Sequence, residues 1–314
     1  MPSAVRLILI LSITIPALAA DSPEKRPIKV FILAGQSNME GHGIVPLDPQ
    51  RNAGKGSLEY IVKDPATKEH YQHLIGPDGQ WVVRDDVKIW YLGRTGGLTV
   101  GYGARPDRIG PELQFGHVLG AHYENPVLLI KIAWGGKSLA QDFRPPSSDD
   151  TVGPYYTKLI EHTREVLAHL PQLFPAWKDR PHELVGFGWH QGWNDRVNQA
   201  FNDAYEQNLA NFIRDIRRDL GSADLPFVIA ETGMAGHQET HPRALSLMRA
   251  QAAVAQYDEF KGNVAFVGTK DFYRPKERSP SGQGYHWNTN AETYCLIGEA
   301  MARAMLALEG CTTR

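Results

Sequence analysis

The sequence predicts an α/β protein, a three-layer α/β/α sandwich of the flavodoxin-like kind with about five parallel strands. Short apolar runs alternate along it with longer amphipathic ones, the pattern of a parallel sheet covered by helices on both faces. Hydrophobic residues make up 42% of the 314-residue chain, apolar mass enough for a core, and the length suits one domain carrying a large insertion. Strands are expected at residues 28–33, 127–133, 184–189, 227–230 and 264–267. Helices are expected at 111–123, 155–170, 202–220, 242–257 and 291–308, the last with Asn290 as its N-cap. In such sheets ligands gather outside the carboxyl ends of the strands, so functional residues are sought there.

Two segments depart from this rhythm. At the start, Arg6 precedes an apolar run from Leu7 to Ile15, and Ala17-Leu18-Ala19 follows as a signal-peptidase pattern. The run is well short of the ~20 residues that span a bilayer. Residues 1–20 therefore read as a cleaved signal peptide and 21–314 as a single domain, secreted or periplasmic, with no membrane partner after cleavage. The second segment, 41–109, is rich in Gly, Pro, Asp and Lys and too long for a bare loop. It reads as an insertion forming one wall of the site, with a hairpin pairing 80–83 with 87–92. Export permits disulfides, but Cys295 and Cys311 bracket most of the last predicted helix. At ~1.5 Å per residue it would hold their sulfurs too far apart for a bridge, which needs Cα atoms within ~7 Å. A net charge of −2 leaves no electrostatic footprint for nucleic acid.

The strongest local chemical signal is the run into Gly35-Gln36-Ser37-Asn38-Met39. A wholly apolar strand meets a glycine and a serine follows, which puts a hydroxyl at the carboxyl edge of the sheet among backbone N–H groups that can face an anion. Serine is a weak nucleophile until a base takes its proton. Met39 stands where the second glycine of a G-x-S-x-G elbow belongs, so that arrangement is excluded.

These residues resemble the first block of the SGNH hydrolases, in the version found in sialate O-acetylesterase-like proteins and carbohydrate esterase family 6. Later blocks follow in order. Lys131-Ile132-Ala133-Trp134-Gly135-Gly136 is similar to the second and Trp189-His190-Gln191-Gly192-Trp193-Asn194-Asp195 to the third. Tyr285-His286-Trp287-Asn288 is similar to the last, which holds the catalytic histidine, and Gly110–Gly116 resembles the start of the family's first long helix. The resemblance implies an SGNH fold and a serine esterase in which His286 is the base for Ser37. It further implies an oxyanion hole from the N–H groups of Ser37 and of Gly135 or Gly136, with the side-chain amide of Gln191.

The acid is where the sequence departs from the family. Trp193 replaces the third block's usual Glu, and Gln283 stands three residues before the histidine where an Asp is customary. Asp195 matches the block's own aspartate and is the favoured acid; Glu231, Asp271, or a Ser–His dyad oriented by a backbone carbonyl or Gln283, remain open. Gln36, Asn38, Trp193 and Trp287 are expected to bind substrate, the indoles suiting the C–H face of a sugar, whereas Trp189 is expected in the core. No cofactor is expected: Gly101-Tyr102-Gly103 has neither the strand before it nor the helix after it of a dinucleotide fingerprint, and His237 and His241 precede Pro242 without an H-E-x-x-H pattern. The expectation is an exported esterase removing O-acetyl groups from carbohydrate or another small ester. The alternative is a catalytically impaired glycan-binding protein on the same scaffold.

Overall fold

The computed structural model describes residues 26–148 and 151–312, and the expected signal peptide lies outside the described residues. The described residues form a seven-stranded sheet. In chain order its strands are β1 (Ile28–Gly35), β3 (Arg84–Tyr91), β4 (Arg94–Leu98), β6 (Val127–Ala133), β7 (His182–His190), β8 (Phe227–Ala230) and β9 (Val264–Val267). A two-stranded ribbon pairs β2 (Gly43–Ile44) with β5 (Arg108–Ile109). The sheet order is β4-β3-β6-β1-β7-β8-β9, and every pairing is parallel except β3 with β4. The five expected strands are all present and lie in the order second-first-third-fourth-fifth, the flavodoxin-like order.

The two extra strands correct the expected hairpin. Residues 87–91 do not pair with 80–83; they belong to β3, parallel to β6, and turn back through Leu92-Gly93 into β4. Both turn residues have positive φ, +45° and +88°, the geometry that a two-residue hairpin turn needs. Arg94-Thr95-Gly96-Gly97-Leu98 carries no apolar alternation, which is why the pattern hides this edge strand.

Five long helices cover the sheet: α1 (Glu112–His122), α2 (Pro154–Ala168), α3 (Gln199–Asp219), α4 (Pro242–Val254) and α5 (Ala291–Thr312). Residues of β1 alternate between two cores, with Val30 and Ile32 facing α2 and α3 and Phe31 and Leu33 facing α1 and α5. The central strands are buried along almost their full length, as expected for a sheet covered on both faces. Asn290 caps α5 by accepting the Thr293 N–H at 3.1 Å. Cys295 is a free, buried thiol on that helix, and the Cys311 side chain lies outside the described residues. Among the described residues no helix is long and apolar enough to cross a membrane.

Candidate active site

Four loops meet at the carboxyl edge of the sheet. Ser37 opens a one-turn helix, Ser37–Glu40, directly after β1 and is buried. The chain can turn there because Gly35 passes close to the end of β7: a Cβ on it would lie 2.2 Å from the His190 carbonyl oxygen. The turn ends at Gly41, whose φ of +89° and 2.1 Å clearance from Gly110 Cα admit only glycine. Lys131, fully buried on β6, holds this turn from below. Its ammonium donates to the backbone carbonyls of Glu40 (2.8 Å) and Tyr102 (2.7 Å) and to the buried Glu112 carboxylate (2.7 Å).

The second block reaches Ser37 through Gly135. A Cβ on this glycine would stand 3.0 Å from Glu40 Oε2 and 3.9 Å from Ser37 Cβ. Gly136, with φ +69°, faces open space, so Gly135 is the glycine that lies against Ser37.

The third block is placed differently from expectation. The Asp195 carboxylate accepts the backbone N–H groups of Leu139 and Ala140, each at 2.8 Å, and the Gln191 amide at 2.6 Å. It ties the third block to the loop after the second and makes no hydrogen bond to His286, contrary to the role of acid expected from sequence. Burial raises its pKa to about 6 in spite of these donors. The Gln191 amide is shared between Asp195, the Lys137 carbonyl (3.0 Å) and Gln36 (3.3 Å), which directs it into the loop instead of an oxyanion. Gln36 is a latch and not a substrate ligand: its Oε1 also accepts the N–H groups of Gly192 and Asn194, both at 3.2 Å. Asn38 too is turned inward, donating to Met234 Sδ and accepting from the Tyr294 hydroxyl.

His286 lies at the far side, in a run of four non-glycine residues with left-handed backbone: His286, Trp287, Asn288 and Thr289 have φ of +50°, +51°, +52° and +57°. Such a run costs roughly 1–2 kcal/mol per residue, and Asn288 holds it in place. Its side chain accepts the Gly284 N–H at 2.9 Å and donates to the Arg274 carbonyl at 3.1 Å. The imidazole of His286 stacks on that of His42, with ring centroids 3.8 Å apart and planes 6° from parallel. Burial, with His42 adding to it and Glu40 opposing it, brings the His286 pKa down to about 4. Ser37 and His286 make no hydrogen bond to each other here; such contacts often close only around substrate.

The other carboxylates considered from sequence are committed elsewhere. Glu231 accepts the Thr269 N–H and faces Lys270, and Asp271 pairs with His237 on the surface. Gln283 donates to the Tyr285 carbonyl and does not orient the imidazole. His241 caps α4 by accepting the Arg243 N–H. Trp287, expected at the substrate, is fully buried in the core, as Trp189 is. Trp193 remains half-exposed, with the Arg196 guanidinium 3.6 Å over its ring and Tyr285 6.3 Å away.

A family model described as carbohydrate esterase, sialic acid-specific acetylesterase, matches residues 27–307. The chain belongs to this family. It is therefore a carboxylic-ester hydrolase. Solved structures share its fold at low identity. A protein from Arabidopsis thaliana has a TM-score of 0.58 at 17% identity, covering 89% of this chain and 98% of that one. NanS has a TM-score of 0.58 at 15% identity, covering 92% and 99%. A carbohydrate acetylesterase from Xanthomonas citri has a TM-score of 0.50 at 15% identity, covering 88% of this chain and 56% of that one. No curated protein matches the sequence.

The segment 41–109, read from the sequence as one wall of the site, contributes residues to it that sequence reasoning did not single out. His286 opens into a cavity of about 290 Å³ that is also lined by His42, Arg51, Arg105, Arg108 and Tyr285. Four of these belong to the segment 41–109, whose loop ends carry no motif. Glu40 and His42 were not singled out from the sequence either, although they follow Ser37 by three and five residues.

Proposed function

We propose that this esterase removes O-acetyl groups from a carbohydrate, with Ser37 as nucleophile and His286 as general base. One observation carries the reading: Ser37, Gly135 and the stacked His42–His286 pair gather around a single carboxylate, Glu40, at the carboxyl edge of the sheet. In this mechanism the Ser37 oxygen attacks the acetyl carbonyl carbon while His286 takes its proton. The developing oxyanion is met by the N–H groups of Ser37 and Gly135. His286 then protonates the departing sugar oxygen, and afterwards activates the water that releases acetate and restores Ser37.

The cavity supports a sugar that carries a carboxylate. Arg51, Arg105 and Arg108 line it, and a planar guanidinium suits bidentate recognition of a carboxylate. Arg108 is itself buried, with its charge shared with Asp107. The half-exposed Trp193 and Tyr285 offer apolar faces for the ring. We further propose that residues 1–20 direct export; N-terminal sequencing of the mature protein would show a start near Ala20 or Asp21.

The test is turnover of 4-nitrophenyl acetate by the wild type beside Ser37→Ala, each with and without chelator. Activity that survives chelation and vanishes in the variant supports the serine mechanism. Acetylated acidic and neutral sugars are then compared. A folded wild type that binds acetylated sugar but hydrolyses neither substrate would replace the catalytic reading with the binding-protein alternative.

A further inference from the structure

We infer that Glu40 is the acid partner of His286, acting as a positioning residue across the stacked ring of His42. The inference rests on the reading of Ser37 and His286 given above and supplies the acid that the sequence lacks at its customary places.

Asp195, Glu231 and Asp271 are each engaged by donors away from His286, and position 283 is a glutamine. Glu40 differs from all three. Its Oε2 lies 3.9 Å from His42 Nε2, and the His42 ring lies flat against that of His286 at 3.8 Å. The same oxygen comes within 3.0 Å of the point where a Gly135 Cβ would stand, beside Ser37 Cβ. Its carboxylate therefore sits between the nucleophile and the imidazole pair, with its side chain only 21% exposed. Its place is fixed from two sides, by the one-turn helix that begins at Ser37 and by the Lys131 ammonium on the Glu40 carbonyl.

Charge balance gives the arrangement its chemistry. When His286 takes the Ser37 proton, the site gains an imidazolium beside His42 and in a cavity lined by Arg51, Arg105 and Arg108. His42 opposes the new charge, and Glu40 is the carboxylate that favours it. Two imidazolium rings 3.8 Å apart would repel strongly, so the pair accommodates one proton at a time. Glu40 exchanges no proton in this scheme: the proton passes from Ser37 to His286 and on to the departing oxygen.

The test compares Glu40→Gln and His42→Asn with the wild type, by pH profiles of 4-nitrophenyl acetate turnover and by NMR titration of the His286 ring in the resting protein. Glu40→Gln is expected to lower kcat roughly tenfold or more, leave KM within about twofold, and move both the acid limb and the His286 titration to lower pH. His42→Asn is expected to move the titration the other way. A Glu40→Gln protein whose melting temperature falls while its His286 titration stays in place would assign Glu40 a structural role and overturn the inference. The titration is read without turnover. Should the wild type hydrolyse no ester, the catalytic reading fails on its own, and the link from Glu40 to His286 is still decided.

Discussion

The side-chain amide of Gln191 donates to the buried carboxylate of Asp195 at 2.6 Å, within one loop of the site. The same carboxylate receives the N–H groups of Leu139 and Ala140, so it ties the third block to the loop after the second. Asp195→Ala leaves the Leu139 and Ala140 N–H groups without their acceptor in a dry environment and removes the shortest of the Gln191 amide's three bonds. A loss of about 3 kcal/mol or more in stability is expected, since each orphaned buried group costs roughly 1–3 kcal/mol. Asp195→Asn keeps one acceptor oxygen and is expected to lose less. Urea denaturation of the two variants checks the order; equal stability to wild type would contradict the tie between blocks.

The pH dependence of kcat/KM tests the environment of the base. The proposed mechanism needs the neutral imidazole, and burial brings the His286 pKa from 6.5 to about 4. Activity is therefore expected to hold constant as pH falls from 7 toward 5 and to be halved only near pH 4. An acid limb near 6.5, measured with folding confirmed at each pH, would place the histidine in water.

Lys131 and Glu112 form a buried ion pair beneath the turn that carries Ser37. Removing one partner strands the other charge, so Lys131→Met is expected to destabilise by about 3–5 kcal/mol. Lys131→Met combined with Glu112→Gln is expected to recover part of that loss. Denaturant unfolding of the single and double variants gives the coupling directly, and a double variant less stable than the single one would refute it.

Stability toward acid has a separate source in His190, which is fully buried at the end of β7. Burial brings its folded pKa to about 3, against 6.5 unfolded. The unfolded chain therefore takes up the proton first. Stability is fully present above pH 6.5 and falls as pH drops from 6.5 toward 3, by at most ~5 kcal/mol from this group. His190→Leu is expected to flatten that part of the curve of melting temperature against pH. An unchanged slope would show that other groups govern acid unfolding.

The fold was legible wherever apolar pattern carried it. The five strands expected from apolar runs, β1, β6, β7, β8 and β9, lie where the pattern puts them, and Pro242 and Asn290 mark two helix starts. The edge strand β4 was not legible, because two glycines and two polar residues give it no period. At the site, blocks identified the residues brought to the edge but not where their side chains point. Gln36, Asn38, Gln191 and Trp287 all turn inward, since a loop at a crowded strand end must satisfy its own backbone before it can serve a ligand. The arginines of the cavity come from stretches with neither period nor motif, and only the folded chain assembles them.

The left-handed run from His286 to Thr289 has an implication for improving this enzyme as a reagent. Glycine adopts that backbone without steric penalty, so a library selected for heat resistance alone would be enriched in glycine at 288 or 289. Those winners would lose the amide of Asn288 or the β-branched side chain of Thr289 beside the base, and with it the fixed bearing of the imidazole. Selection for durability and selection for rate therefore pull in opposite directions at these positions, and only a screen that scores both would keep the native residues.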